Sequence, residues 1–490
     1  MRESLLARTA RGAGWVMAWR LGMRVLGLVS TLVLVRLLAP ADFGLIALAT
    51  GFMQSVDGLM SLGTEEAVIR TESPDRGVYE TAFTLTALRG LIASLLVALA
   101  AFPVARFFGD ARLGPVLLVV ALLPLLDGVG NIGAVDFRRE MTFHKEFALM
   151  VLPKLGGILV AILAAFLLRS YVALLCGMLV NRSLRTVMTY VMHPFRPRLS
   201  LKAWRALFGY SAWTWALSLA VLLRDRSDNL ILGRLTGTAT LGFYSVGAEI
   251  AALPMTELIE PLGRASFSGF AAARHERMEV RETFLRLIGF SALLALPVGL
   301  GLSLVAAPLT RLALGPGWDQ AVPVLQVMAV AGTMLLFGHL SQHLLSAHAL
   351  LGRVVGITLA GAAVRVGLLL ALIPGYGVKG AAVAAGVAIC IEQGLLVVTA
   401  LRHFGIGLGT LAGQVWRPAQ AAAAMAVVLW IAGLGWVPAA PGGALGQLIA
   451  PVAVGTMVFT ATLLGAWLAS GRPGGAEADV LRWTLKRRSA

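Results

Sequence analysis

The sequence predicts an all-α protein that crosses a membrane many times, and three observations support this fold class. Hydrophobic residues make up 58% of the 490 residues, charged residues only 13%, and the mean hydropathy is +0.82. A membrane-spanning helix needs about 20 apolar residues, and apolar stretches of that length recur along the chain. Basic residues collect in the short segments between these stretches. We therefore expect a polytopic membrane protein with about 14 transmembrane helices.

Hydropathy places the predicted spans in order along the chain. They lie near residues 13–37, 43–64, 79–103, 113–133, 146–169, 171–192, 207–232, 240–262, 283–308, 320–345, 353–373, 378–401, 415–435 and 447–469. Pro124 and Asp127 interrupt the fourth span, and the sixth span carries Arg182 and Arg185. These two spans are therefore the least regular.

Basic residues between the spans predict the orientation of the chain. With the N-terminus in the cytosol, the inner segments hold roughly 26 basic residues and the outer ones roughly 7. An even number of spans returns the C-terminus to the cytosol, where the basic tail 471–490 then lies. The net charge of +16 follows from these loops. It does not indicate nucleic-acid binding, because the chain has no basic domain interleaved with aromatic residues.

A short internal repeat predicts two bundles of six helices. Residues 36–44, RLLAPADFG, close the first span, and residues 234–242, RLTGTATLG, close the seventh. An even number of spans separates the copies, so the repeats run parallel and are expected to face each other across a central cavity.

The predicted domains follow from this repeat. They are an N-lobe at 1–195 (spans 1–6), a basic cytoplasmic linker at 196–206, a C-lobe at 207–403 (spans 7–12), two extra spans at 404–470 and the tail at 471–490. The alternative for 196–206 is simply a long cytosolic loop.

Charged residues inside the predicted spans are mostly basic. The candidate substrate-binding residues of a cationic cavity are Arg20, Arg24, Arg89, Lys154, Arg224 and Arg365. A charge at bilayer depth is unfavourable unless it faces protein or water, and arginine binds phosphate oxygens through two parallel hydrogen bonds. Arg20 could instead extend its head group to the cytosolic interface, and Arg224 could pair with Asp228 four residues later.

Acidic residues in the spans are fewer. Asp57 and Glu392 are candidates for coupling transport to an ion, and the alternative is a salt bridge to one of the arginines on another helix. His339 and His343 have a spacing that can hold zinc, but no third ligand is evident, so we interpret them as packing residues. We predict no metal site.

The sequence contains no catalytic or nucleotide-binding motif, and it has no sizeable segment outside the spans. We therefore predict a protein that is not an enzyme and carries no cofactor. A membrane glycosyltransferase or ligase would need a polar outer loop carrying acids or a histidine, which this chain lacks.

The turn LVRLLAPADFG after the first span and the segment RDRSDNLILGRLTGTATLGFYSVG resemble the polysaccharide-transporter, or Wzx-type, flippases. These belong to the multidrug/oligosaccharidyl-lipid/polysaccharide (MOP) exporter superfamily. The resemblance covers the whole chain in span number and repeat position. It implies two lobes of six helices, a cationic cavity and alternating access.

The same resemblance implies a function in a bacterial cytoplasmic (inner) membrane. The implied cargo is an undecaprenyl-pyrophosphate-linked oligosaccharide used for exopolysaccharide, capsule or O-antigen (lipopolysaccharide) biosynthesis. The implied partners are this lipid-linked substrate, membrane lipid, and a polymerase with other polysaccharide-assembly proteins. The alternatives are a cation-coupled multidrug exporter (MATE-like) and a peptidoglycan lipid flippase of the same fold.

Overall fold

The computed structural model describes residues 22–23, 26–60, 63–71, 74–140, 142–204, 212–272, 277–348, 350–438, 445–472 and 474–479. These residues form helices joined by short connections, and they contain no β-strand. The predicted all-α fold is confirmed.

The helices are labelled in chain order. They are α1 (Leu26–Leu37), α2 (Pro40–Leu59), α3 (Thr64–Arg70), α4 (Arg76–Phe108), α5 (Leu113–Val120), α6 (Leu122–Gly128), α7 (Asp136–Arg139), α8 (Phe143–Leu168), α9 (Val172–Met192), α10 (Ala212–Thr236), α11 (Thr238–Ala272), α12 (Arg277–Leu304), α13 (Ala306–Ala313), α14 (Val322–Ala347), α15 (Leu351–Phe404), α16 (Leu408–Ile431) and α17 (Gly446–Ala469). Single 3₁₀ turns precede α7 at Ile132–Val135 and α14 at Asp319–Ala321.

Within the described ranges, six helices are long and apolar enough to cross a membrane. They lie in α4, α8, α12, α14, α15 and α17. A seventh candidate is the bent pair Leu113–Gly128 and Ile132–Arg139, which turns by 69° where the sequence predicts an irregular fourth span. The protein is therefore a multi-pass membrane protein, and the total of about 14 spans stays a prediction.

The long helix α15 is two helices in one run. Gly377 has φ 54° and ψ −129°, and a Cβ atom at Gly361 would meet Cγ of Glu392 at 2.8 Å. The halves 351–376 and 378–404 therefore run back along each other, in agreement with the two spans predicted at 353–373 and 378–401. Glycine at 377 is needed because other residues rarely adopt a positive φ.

The chain divides into two compact units, unit 1 at Met1–Gly242 and unit 2 at Phe243–Ala490. Helix α10 belongs to unit 1 because it packs against α2. The N-lobe, linker and C-lobe boundaries given by the sequence stay predictions.

The turn between α1 and α2 follows from local chemistry. Pro40 occupies the first position of α2, where no backbone N–H is needed, and its ring fixes a helical φ. The carboxylate of Asp42 accepts a hydrogen bond from the backbone N–H of Ala39 at 3.1 Å. The second copy of the repeat makes its turn in another way: Gly237, with a φ of 85°, separates α10 from α11.

The two copies of the repeat contact each other reciprocally inside unit 1. A Cβ atom at Gly44 would lie 1.7 Å from the carbonyl oxygen of Thr238, and one at Gly242 would lie 1.8 Å from the carbonyl oxygen of Pro40. Gly44 and Gly242 hold the same position in the repeat, as do Pro40 and Thr238. The starts of α2 and α11 therefore cross with their backbones in contact, which only glycine permits.

Glycines also allow two further pairs of helices in unit 1 to pack closely. A Cβ atom at Gly90 on α4 would meet the carbonyl oxygen of Pro124 on α6 at 2.4 Å. One at Gly157 on α8 would meet the carbonyl oxygen of Gly177 on α9 at 2.6 Å. Small residues let these helix pairs approach closely, so the polar residues beside them converge.

The first part of the predicted linker is bound to unit 1. Residues 193–200 have no helical structure, and the side-chain amide of Asn131 donates a hydrogen bond to the carbonyl oxygen of Phe195 at 2.7 Å. The backbone N–H of Ser200 donates to Oγ1 of Thr84 at 2.8 Å. This segment, the strap (residues 193–204), therefore lies along the start of α4.

His193 opens the strap just after the end of α9. Its Nε2 lies 3.5 Å from Oδ2 of Asp136, and its ring packs against Gly133. Burial lowers the pKa of His193 below its usual value, because desolvation outweighs the attraction of Asp136.

Candidate functional site

The six predicted cavity cations have different surroundings. Arg20 and Arg24 lie outside the described residues. Arg89, Lys154 and Arg224 lie in unit 1, and Arg365 lies in unit 2.

Arg89 on α4 faces Asp57 on α2. Their Nη1 and Oδ1 atoms are 3.6 Å apart, and the side chains are 21% and 31% exposed. Asp57 Oδ1 is buried and accepts no hydrogen bond. The contact is thus a loose ion pair between two helices, which is the alternative that the sequence left open for Asp57. The N–H groups of the Arg89 guanidinium remain able to donate hydrogen bonds to another group.

Arg89 lines a charged cavity inside unit 1, here called the arginine pocket, with a volume of about 230 Å³. The lining residues are Glu65, Thr86, Arg89, Asp127, Gly130, Asn131, Ile132, Ala134, Val135, Arg138, Glu146, Leu149, Met150, Arg182, Arg185, Thr186 and Thr189. They come from α3, α4, α6, α7, α8, α9 and the bend before α7.

Two of its arginines are paired with carboxylates. Arg182 Nη1 donates to Oδ1 of Asp127 at 2.9 Å. Arg138 Nε donates to Oε1 of Glu146 at 2.7 Å, and its Nη1 lies 3.4 Å from Oε2 of Glu65.

Arg185 differs from its neighbours in the arginine pocket. Within the described part of the chain it makes no hydrogen bond or ion pair, and its charge acts on Asp127 only at longer range. The pocket therefore holds four guanidinium groups against three lining carboxylates, with Arg89 and Arg185 the least neutralised.

From the sequence alone, Arg182 and Arg185 count with the basic residues of the cytosolic side and as irregularities of the sixth span, and they are not among the predicted candidate site residues. The signal that identifies them is a polar stripe, since Arg182, Arg185, Thr186 and Thr189 fall three and four residues apart on one face of α9. Asp127 and Thr86 meet this face because of the glycine contacts between α4 and α6.

Lys154 on α8 faces the first predicted span. Its Nζ donates a hydrogen bond to the backbone carbonyl of Met23 at 3.1 Å. Lys154 is not among the residues that line the arginine pocket.

Arg224 on α10 pairs with its sequence neighbour, since its Nε lies 2.8 Å from Oδ1 of Asp225. Asp228, the alternative partner proposed from the sequence, is buried. Arg226 reaches α2, where it donates to Oε1 of Gln54. This charged cluster therefore joins α10 to α2.

In unit 2, Arg365 and Glu392 are buried in the hairpin of α15. Arg365 is 7% exposed and Glu392 is 2% exposed. Glu392 packs against Gly361, one turn before Arg365 on the same helix face. Both side chains are therefore enclosed by protein and do not point outward to lipid.

The two histidines on α14 have no metal-site geometry. The ring Nδ1 of His339 bonds the carbonyl oxygen of Leu335 at 2.6 Å. In the described ranges, no group of three His, Cys, Asp or Glu residues is placed to hold a metal ion with His339 or His343.

Comparison with solved structures identifies the fold. The lipid II flippase MurJ in an inward closed conformation superimposes with a TM-score of 0.73 over 93% of this chain and 99% of that chain, at 13% identity. An inward-facing multidrug resistance MATE family transporter of the MOP superfamily gives a TM-score of 0.60 over 78% of this chain and 94% of that chain, at 15% identity. The chain has the MOP-superfamily fold.

Two curated relatives match about two thirds or more of this chain in sequence. The lipopolysaccharide biosynthesis protein WzxC of Escherichia coli (strain K12) is 25% identical over 350 residues, which are 71% of each chain. The succinoglycan biosynthesis transport protein ExoT of Rhizobium meliloti (strain 1021) is 24% identical over 338 residues, which are 68% of each chain.

The family model described as "Polysaccharide biosynthesis protein" matches residues 33–323. This match includes α2 to α13, and with them every residue of the arginine pocket. Among these similar proteins, ExoT is named as a transport protein and MurJ as a flippase. The chain therefore belongs to the polysaccharide biosynthesis protein family, and it has the MOP-superfamily fold.

Proposed function

We propose that this protein is a flippase that moves an undecaprenyl-pyrophosphate-linked oligosaccharide repeat unit across a bacterial cytoplasmic membrane. The product serves exopolysaccharide, capsule or O-antigen assembly. The observation that carries the proposal is the arginine pocket, because it puts several guanidinium groups inside a transporter fold. The names of the relatives support the polysaccharide class.

The physical reason is the barrier that an anionic head group meets in hydrocarbon. Pyrophosphate and sugars lose their hydration when they leave water, whereas a water-filled cationic cleft replaces it with hydrogen bonds from arginine and lysine. The polyprenyl tail can stay in the bilayer. Alternating access then exposes the head group to one side of the membrane at a time.

The cationic residues of the proposed path are Arg24, Arg89, Lys154 and Arg365, with Arg20 and Arg224 as further candidates. Asp57 and Glu392 are candidates for ion coupling. We propose that both termini are cytosolic, in accord with the basic inner segments. A polymerase of the same pathway would receive the product.

The test is a deletion strain. Cells that lack the protein should accumulate the lipid-linked repeat unit on the cytosolic side and stop polymer export, and the wild-type gene should restore both. Replacing Arg24 or Lys154 with Gln should abolish export while membrane insertion, measured on isolated membranes, stays intact. Normal export in the deletion strain would overturn the proposal.

A multidrug exporter of the same fold is the alternative. It would lower the sensitivity of a susceptible host to cationic drugs without changing lipid-linked intermediates. The arginine pocket disfavours it, because guanidinium groups repel cationic drugs.

A further inference from the structure

We propose that the arginine pocket of unit 1 is a binding site for a phosphate or pyrophosphate group, held mainly by Arg185 and Arg89. This inference deepens the proposed function, on which it rests, by naming where the anionic part of the cargo is held within one unit. Three properties of the pocket support it: its depth, its volume and the unequal pairing of its arginines.

The pocket reaches from the helix ends deep into the span region. Glu65, Arg138 and Glu146 lie near ends of α3, α7 and α8, on the side predicted to be cytosolic. At 1.5 Å per residue, Arg89 lies about 20 Å along α4 from its start, and Arg185 about 10 Å from the end of α9. A group in the pocket could therefore move from the membrane face towards the middle of a hydrocarbon core about 30 Å thick.

The volume suits a hydrated anion. A cavity of about 230 Å³ has room for several water molecules. Guanidinium, carboxylate, hydroxyl and amide groups line this space together with apolar side chains such as Leu149 and Met150. A phosphate group that keeps part of its water shell fits such a space better than an apolar ligand does.

The arginines of the pocket fall into two groups, those bonded to a carboxylate and those able to bind an anion. Arg182 and Arg138 donate to Asp127 and Glu146 at hydrogen-bond distance, so they stabilise the packing of the helices. Arg89 has only a loose contact with Asp57, and Arg185 makes no hydrogen bond or ion pair within the described residues. A guanidinium group inside a membrane protein without such a bond is unfavourable unless water or an anion satisfies it.

The decisive variant is Arg185→Gln, because Arg185 has no bonded partner in the described part of the chain whose loss would complicate the result. The matched control is Arg106→Gln. Arg106 lies on α4, is exposed at the end away from the pocket, and carries the same charge. Arg182→Gln is the structural comparison, because it removes the bond to Asp127.

The experiment measures binding of inorganic pyrophosphate to the purified full-length protein in lipid nanodiscs, by calorimetry. We expect Arg185→Gln and Arg89→Gln each to weaken binding about tenfold or more, since each removes a charge-assisted hydrogen bond. Arg106→Gln should bind like the wild type. Arg185→Gln should unfold at the wild-type temperature, whereas Arg182→Gln should unfold earlier.

A second arm uses geranyl pyrophosphate in place of the inorganic anion. Competition between the two probes for the same Arg185-dependent site would assign it to a lipid-linked head group. Binding of inorganic pyrophosphate alone would assign it to a free anion and would contradict the role in cargo binding.

Wild-type affinity in Arg185→Gln would overturn the anion site and mark the pocket as a structural charge network. That result would leave the flippase proposal intact if the deletion strain still accumulates lipid-linked repeat units. The opposite combination is also informative. If pyrophosphate binding depends on Arg185 but deletion of the protein leaves export unchanged, only the flippase proposal is refuted.

Discussion

Two cavities, one in each unit, differ in chemistry. The arginine pocket of unit 1 has a volume of about 230 Å³ and is lined by four arginines and three carboxylates. A cavity in unit 2 has a volume of about 600 Å³, and its lining is mainly valine, alanine and isoleucine from α12, α14 and α15. Arg365 and Glu392 of unit 2 are buried, and they are not among the residues that line that cavity.

This difference teaches that the surroundings of a charge decide what it can do. Charges that are half-buried beside a wet cavity can exchange partners with a ligand, because water supports them while they do so. Charges enclosed by protein are fixed, because separating them leaves an uncompensated buried ion. We therefore expect the loosely paired Arg89 and Arg185 of unit 1 to affect transport, and a fully buried ion pair of unit 2 to affect stability.

The largest expected effect tests the structural side of this comparison in unit 2. Arg417 on α16 and Glu477 near the C-terminus are 3% and 6% exposed, and their Nε and Oε1 atoms are 3.1 Å apart. Arg417→Met should lower the free energy of unfolding by about 3–5 kcal/mol, because Glu477 is left buried without its cation. Thermal unfolding in detergent measures this loss.

The double variant Arg417→Met with Glu477→Leu is the control. It should recover most of the lost stability, because no isolated charge remains. An Arg417→Met protein as stable as the wild type would show that this pair is hydrated like those of unit 1.

The second effect concerns the crossing of α2 and α11. Gly44→Ala should destabilise unit 1 by about 1–3 kcal/mol, because the new methyl group meets the backbone oxygen of Thr238 and a backbone cannot rotate away. The control is Gly367→Ala in α15, where nothing lies within 4 Å of the new methyl group. There the change should be neutral or slightly stabilising, since alanine favours helices. Equal unfolding temperatures for both variants would refute the close crossing.

The third effect tests the functional side of the comparison in unit 1. Arg89→Gln should lower transport of the lipid-linked repeat unit at least tenfold. It should change the free energy of unfolding by only about 1 kcal/mol or less, because the contact with Asp57 is loose and partly exposed. Polymer export and thermal unfolding, measured on the same variant, separate these two quantities. A large stability loss with normal export would reverse the assignment.

The smallest effect is a pH dependence at the strap. The pKa of His193 is lowered in the folded protein, so the unfolded chain binds the extra proton first as the pH falls below about 6.5. Stability should therefore decrease from pH 7.5 to pH 5.5, and His193→Gln should flatten this dependence. Unfolding temperatures across that range provide the measurement. If the wild-type protein instead became more stable on acidification and His193→Gln removed that gain, the lowered pKa of His193 would be contradicted.

Much of the fold was predictable because it depends on contiguous residues. Long apolar stretches identify membrane helices, and Pro40 with Asp42 fixes the start of α2 through local hydrogen bonding. The irregular fourth span was visible in Pro124 and Asp127, and it appears as a bend of 69°. The candidate site was predictable only in part, since Arg89 was identified and Arg185 was not.

The sequence by itself determined that this protein is a helical membrane protein with an excess of positive charge inside its spans, because hydropathy and charge are sums over neighbouring residues. The tertiary structure alone decided which charges meet. Arg182 meets Asp127, and Arg89 meets Asp57, across different helices. These ion pairs depend on how closely the helices approach each other. Glycine contacts, such as that of Gly90 with Pro124, determine this distance.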